Sequence, residues 1–197
     1  MTLLEIVDLI GNFQVPIYTI EHQEINNDYC FSIMIPTDVL SKIRGNNSNS
    51  PKRDTGVYFY NCTFLKFYEI TSTKTPEAVQ QIIEIIKSNF WIEENDIALA
   101  FSVFALLHEI GHVHHFINSE ISCEEYWSQY YKERDALWAN YQFEYHFIAR
   151  TPDDKKNVSL KYGEIYRNIE IEHIADEFAI CHFEECYNRV KQHVGER

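Results

Sequence analysis

His108-Glu109-Ile110-Gly111-His112 reads H-E-x-x-H and closes an apolar run from Ile97 to Leu107. That run predicts a helix, and its composition predicts a buried one. On a helix, positions four apart lie about 40° apart around the axis, so His108 and His112 point the same way and can bind one metal ion. Glu109 sits beside them, within reach of a metal-bound water whose proton it can take. Two imidazole ligands and one carboxylate base form the set used by zinc hydrolases. Two histidines and a glutamate at the end of a buried helix also need partners, and a metal supplies one.

A catalytic zinc usually has three protein ligands and one open position. The extended pattern H-E-x-x-H-x-x-G-x-x-H does not supply the third here. His115 stands at its glycine position and Asn118 at its last histidine position. Further on, Glu172-His173-Ile174-Ala175-Asp176 reads E-x-x-x-D. Glu172 and Asp176 are one helical turn apart and share a face. Glu172 can bind zinc while Asp176 accepts the free ring N–H of a ligating histidine, which fixes the tautomer and orients the ring. Glu133 is a rival nearer in sequence, but Leu137 stands one turn on, where a helping carboxylate would be. That difference favours Glu172. His114 should face away from the site and be exposed, and His115 could line its rim. His146, His173, His182 and His193 have no matching metal spacing. Tyr145, Tyr162, Tyr166, Arg167 and His182 are the side chains able to donate to a developing oxyanion.

These residues need elements to position them. Residues 2–10 suit a short amphipathic helix. Phe13 to Ile20 and Tyr29 to Ile35 read as strands, rich in β-branched and aromatic residues. Residues 44–56 have the composition of a mobile loop. Val57 to Thr71 alternates and reads as one long strand or a hairpin. Thr75 should cap a helix with Pro76 at its first position, running to about Asn89. The motif helix should start near Asn95. Ser122 and Glu125 form a capping box for a helix over about 123–149. Its stripe of Trp127, Tyr130, Arg134, Trp138, Tyr141, Tyr145 and Ile148 reads as core. Thr151-Pro152-Asp153-Asp154 breaks it, and a final helix should run from about Tyr162 to Val190. Strands first and helices after is an α+β order.

Composition bounds the function. A chain of 197 residues, 45% hydrophobic, suits one domain over 1–197 with a real core. A formal net charge of -13 argues against nucleic acid and anionic membranes as partners. Cys30, Cys62, Cys123, Cys181 and Cys186 are scattered, odd in number and without a C-x-x-C pair, which suits reduced cytoplasmic thiols. The N-terminus has no basic region followed by an apolar core, so no signal peptide is expected. The 11-residue run Ile97–Leu107 falls short of the roughly 20 residues a spanning helix needs.

H-E-I-G-H followed by E-H-I-A-D-E-F-A, residues 172–179, resembles the gluzincin metallopeptidases. The A-D-x-F-A tail is similar to those of the CAAX prenyl-protease and HtpX group, and of the soluble ImmA/IrrE and Lit phage-exclusion proteases. Glu133-Arg134-Asp135-Ala136 also resembles the E-x-E-A element of ImmA-like proteins. The likeness covers roughly 95–118 and 165–185. It implies a zincin-like α+β fold, with a small N-terminal sheet followed by a helical bundle carrying the zinc site. It further implies a zinc endopeptidase acting on a protein or peptide substrate. His108, His112 and Glu172 would be the Zn2+ ligands and Glu109 the base, with Asp176 orienting His108. The target range could be narrow, as in a toxin, defence or regulatory protease. An extended peptide is expected to pair with an edge strand from Val57–Thr71. The alternative is a non-catalytic zinc-binding regulatory or structural protein, in which the metal only holds helices together. An intact Glu109 argues against it.

Overall fold

The computed structural model describes residues 1–20, 31–34 and 54–195. Its centre is a helix that is apolar on nearly every side, α4 (Ile97–Asn118), preceded by a single 3-10 turn at Glu94–Asp96. From Leu99 to His108 every residue of α4 is buried. A helix without a polar face must be covered all round. The elements that cover it are α1 (Leu3–Ile10), α2 (Phe64–Lys74), α3 (Pro76–Asn89), α7 (Glu170–Gly195) and a small sheet. Glu94–Asn118 is long and apolar enough to cross a membrane by length and composition, contrary to the estimate from the uninterrupted run. Its most apolar stretch is 83% buried inside the protein, as expected of a core helix.

α7 packs along α4 more extensively than any other pair of helices. The two run antiparallel. Tyr187 and Lys191, late on α7, bond the Asp96 carboxylate at the start of α4, at 3.0 and 2.6 Å. Glu172 and Asp176, early on α7, therefore lie beside the C-terminal half of α4, where His108 and His112 are.

The sheet contains β1 (Ile17–Ile20), β2 (Phe31–Met34) and β3 (Gly56–Tyr60), in the order β1-β3-β2. β3 pairs parallel with β1 (Ile17 opposite Val57) and antiparallel with β2 (Phe31 opposite Phe59). A short sheet set among many helices fits the expected α+β class. β3 is central, so it offers no free edge to a peptide, and the expected edge pairing at Val57–Thr71 is ruled out for this strand. That segment is also not one long strand. β3 ends at Tyr60, and Thr63 caps α2 by accepting from Lys66 N at 3.2 Å. Phe64, Phe67 and Tyr68 have helical spacing, and the last two pack on Phe101.

Other boundaries also moved. β1 starts at Ile17 and not at Phe13, because Phe13 and Gln14 adopt left-handed backbone (φ 52° and 63°), which ends extension. Thr75 precedes α3, but its hydroxyl donates back to Thr71 O at 3.2 Å and does not cap the new helix. α5 (Cys123–Phe143) begins with the Ser122–Glu125 capping box and passes into a π-helical turn at Glu144–Ile148. The single helix expected over 162–190 is two. α6 (Pro152–Arg167) starts at a Thr151–Asp154 capping box and stops at Asn168, and α7 follows. The Tyr29, Cys30 and Ile35 ends of the second expected strand, and most of the expected loop at 44–56, lie outside the described residues. Cys181 and Cys186 are free thiols.

Candidate metal centre

Glycine decides how closely the two main helices approach. A Cβ on Gly111 would lie 3.0 Å from Phe178 Cβ and 3.1 Å from Ala175 Cα. Ala175 and Ala179 are wholly buried on the facing side of α7. Small residues on both sides thus bring the carboxylates of α7 to the imidazoles of α4.

His108, His112 and Glu172 form a buried group that can hold a metal ion. The Nε2 atoms of the two histidines are 3.1 Å apart. Oε2 of Glu172 is 3.3 Å from His108 Nε2 and 3.5 Å from His112 Nε2. Donors about 2.05 Å from a tetrahedral ion stand about 3.3 Å from one another, so the three atoms match three corners around one ion. Proton placement agrees. His108 Nδ1 is 2.8 Å from Asp176 Oδ1, so the ring proton sits there and Nε2 turns a lone pair to the centre. A carboxylate oxygen and two imidazole nitrogens converging in a buried space are stabilised by a cation.

The electrostatics follow from this crowding. Burial opposes charge on His108, but the Asp176 and Glu172 carboxylates outweigh it and push the metal-free imidazole up to about 9, so a metal binding at Nε2 would displace a proton from it. Burial alone would raise Glu172, yet His112 and His108 hold it well below the ordinary carboxylate range. Asp176 is likewise lowered against its burial, by His108 and Arg167. Glu109 is half-buried, and loss of solvation raises its carboxyl. The imidazoles of His108 and His112 act against that rise, and the Glu172 carboxylate adds to it.

α6 and α5 close the opposite side. Tyr166 and Arg167, consecutive at the end of α6, each hold one carboxylate of α7. Tyr166 Oη donates to Glu172 Oε1 at 2.5 Å, and Arg167 Nη1 donates to Asp176 Oδ1 at 2.5 Å. Tyr130 Oη, on α5, is 2.9 Å from Tyr166 Oη. Tyr126 is buried, with its hydroxyl 3.4 Å from the His112 carbonyl oxygen. A cavity of about 210 Å³ lies between His112, Glu172, Tyr126, Trp127 and Tyr130. A larger one of about 750 Å³ adjoins it, sharing Tyr130 and Arg134 and reaching Trp138, Tyr141 and Tyr166.

The structure thus brings His108, His112, Glu172 and Asp176 together and leaves Glu133 exposed, away from them. His114 is half-buried against the Phe178 ring and not exposed, because α7 covers that side of α4. His115 is also half-buried, 5.8 Å from Tyr126. Its Nδ1, the Nδ1 of His112 and the indole N–H of Trp127 have no hydrogen-bond partner among the described residues. Of the five side chains considered as oxyanion donors, Tyr166 and Arg167 lie at the site. Tyr162 bonds Glu144, Tyr145 lies beside Tyr141, and His182 packs on Phe13 and Phe178. Tyr130 was not legible as a site residue, because a helical aromatic stripe looks the same whether it meets a core or a cavity, and Tyr126, outside that stripe, carried no signal of its own. The core reading of that stripe holds for Trp127 only at its start; Trp138 and Ile148 are more than half exposed. Comparison with protein-family models, curated proteins and solved structures gives no match.

Proposed function

We propose that this chain is a zinc endopeptidase of the gluzincin type, cytoplasmic, cutting a peptide bond of a protein substrate from a narrow range of targets. One observation carries the reading. His108 Nε2, His112 Nε2 and Glu172 Oε2 converge at 3.1 to 3.5 Å, the spacing of a tetrahedral zinc set, and Glu109, the carboxylate that H-E-x-x-H reserves for a base, is next to His108 in the sequence. When bound, zinc polarises the scissile carbonyl and lowers the pKa of its water towards neutrality. The rest falls to the protein. Asp176 holds His108 in the tautomer that turns Nε2 inward. Glu109, its carboxyl raised by burial, takes the water proton and passes it to the leaving amine. The cavity beside His112 and Glu172, and the larger one that adjoins it at Tyr130 and Arg134, give side chains of the substrate somewhere to go.

Glu109→Gln tests this directly, because it removes the base and leaves every ligand in place. The variant is expected to keep its zinc and its fold and to lose cleavage of a fluorogenic peptide library. Retained cleavage would show that Glu109 is not the base. The alternative, a non-catalytic zinc-binding regulatory protein, draws on one feature: the three ligands are only 4 to 8% exposed, as in a closed structural site. Zinc-loaded wild-type protein with no cleavage of any library member or of proteins from its host would favour it.

A further inference from the structure

The two oxygens of Glu172 have different neighbours. Oε2 faces His108 and His112, while Oε1 accepts the Tyr166 hydroxyl. A phenol has one proton to give. Tyr166 gives it to Glu172, so the contact with Tyr130 must run the other way, with Tyr130 donating to Tyr166. The result is a directed chain across three helices: Tyr130 on α5, Tyr166 on α6, Glu172 on α7. It resembles the bond from His108 to Asp176, which uses up the outer nitrogen of another ligand.

We propose that Tyr166, backed by Tyr130, is a positioning residue that occupies Oε1 of Glu172 and restricts this ligand to a single oxygen. The inference rests on the metal reading above and adds a reason why a position stays open. A glutamate can bind a metal through one oxygen or two. With Oε1 tied to Tyr166, Glu172 supplies one donor, the protein supplies three, and the fourth place is left for water or a carbonyl. Without the phenol, Oε1 is free to swing inward as a further donor, which crowds that place and raises the coordination number above four. The charge-assisted bond from a neutral phenol to a buried carboxylate is strong enough to hold that distinction.

The test is cobalt substitution of the full chain, because Co2+ in a four-coordinate site absorbs far more strongly in the visible than in a five- or six-coordinate one. Wild-type protein is expected to show the strong four-coordinate bands. Tyr166→Phe removes one oxygen atom, and its bands should weaken as the coordination number rises. Its zinc affinity, read by chelator competition, should fall roughly 10- to 100-fold, the usual cost of losing such a support. Tyr130→Phe should move both readouts the same way by less. Tyr162→Phe, one turn away on the same helix and bonded to Glu144, should change neither. Far-UV circular dichroism reports folding, and should Tyr166→Phe fail to fold, the Tyr130→Phe spectrum decides. Wild-type bands and affinity in these variants would overturn the tyrosine role while leaving the metal reading intact. A wild type that takes up neither cobalt nor zinc would overturn both.

Discussion

Phe104 on α4 is fully buried; Phe147, just past α5, is 66% exposed. The contrast extends to the regions around them. α4 and α7 meet along Gly111, Ala175 and Ala179 so closely that another carbon would need a shift of a few tenths of an ångström, and their shared surface is mostly apolar, interrupted by the four site residues. α5 and α6 meet differently. Their aromatic side chains touch only at points such as Tyr130–Tyr166 and Tyr141–Tyr162 and line a cavity of about 750 Å³, and Trp138, Phe143, Phe147 and Ile148 are all more than half exposed. The tight half holds charges that would be costly to bury without fixed partners. The loose half supplies tyrosines to that site from outside and keeps room beside it. Ligand geometry thus comes from close packing, and access comes from its absence.

The comparison can be broken by unequal responses to mutation. Phe104→Ala should cost about 3–5 kcal/mol in urea unfolding, the usual penalty for emptying a core aromatic site. A loss under about 1 kcal/mol would mean that α4 is not the packed centre. Asp176→Ala should lower zinc affinity roughly 10- to 100-fold in chelator competition while leaving one zinc bound at saturation. An unchanged affinity would remove Asp176 from its role. Gly111→Ala should destabilise by about 1 kcal/mol, an overpacking cost of ~1–3 kcal/mol offset by the ~1 kcal/mol helix preference of alanine. It should also weaken zinc binding, since α7 must back away with Glu172. A more stable variant with full affinity would show that the close approach is not needed. Phe147→Ala should stay within about 0.5 kcal/mol of wild type. A large loss there would mean that the exposed half is packed in solution.

Much of the tight half could be read from the sequence. H-E-x-x-H and E-x-x-x-D each state their own geometry through helical spacing, and a capping box at Ser122 and a proline, Pro76, mark where α5 and α3 begin. The errors fall where local signals conflict. Phe64, Leu65, Phe67 and Tyr68 favour a strand by composition and a helix by spacing, and the Thr63 cap decides for the helix. Asn168 and Ile169 stop a helix without glycine or proline, as Ile169 buries itself at 6% exposure and α7 starts anew. That missed break is what sets Tyr166 and Arg167 against Glu172 and Asp176. The tyrosine chain was unreadable because its three residues sit on three helices, and their meeting depends on tertiary packing alone.

Metal content tests the central claim most directly. Inductively coupled plasma mass spectrometry should find about one zinc per chain in wild-type protein supplied with zinc, and the same in Glu133→Ala. Glu172→Ala and His112→Ala should lose most of it. No transition metal in the wild type, or a Glu172→Ala variant that keeps its zinc while Glu133→Ala loses it, would contradict the site described here.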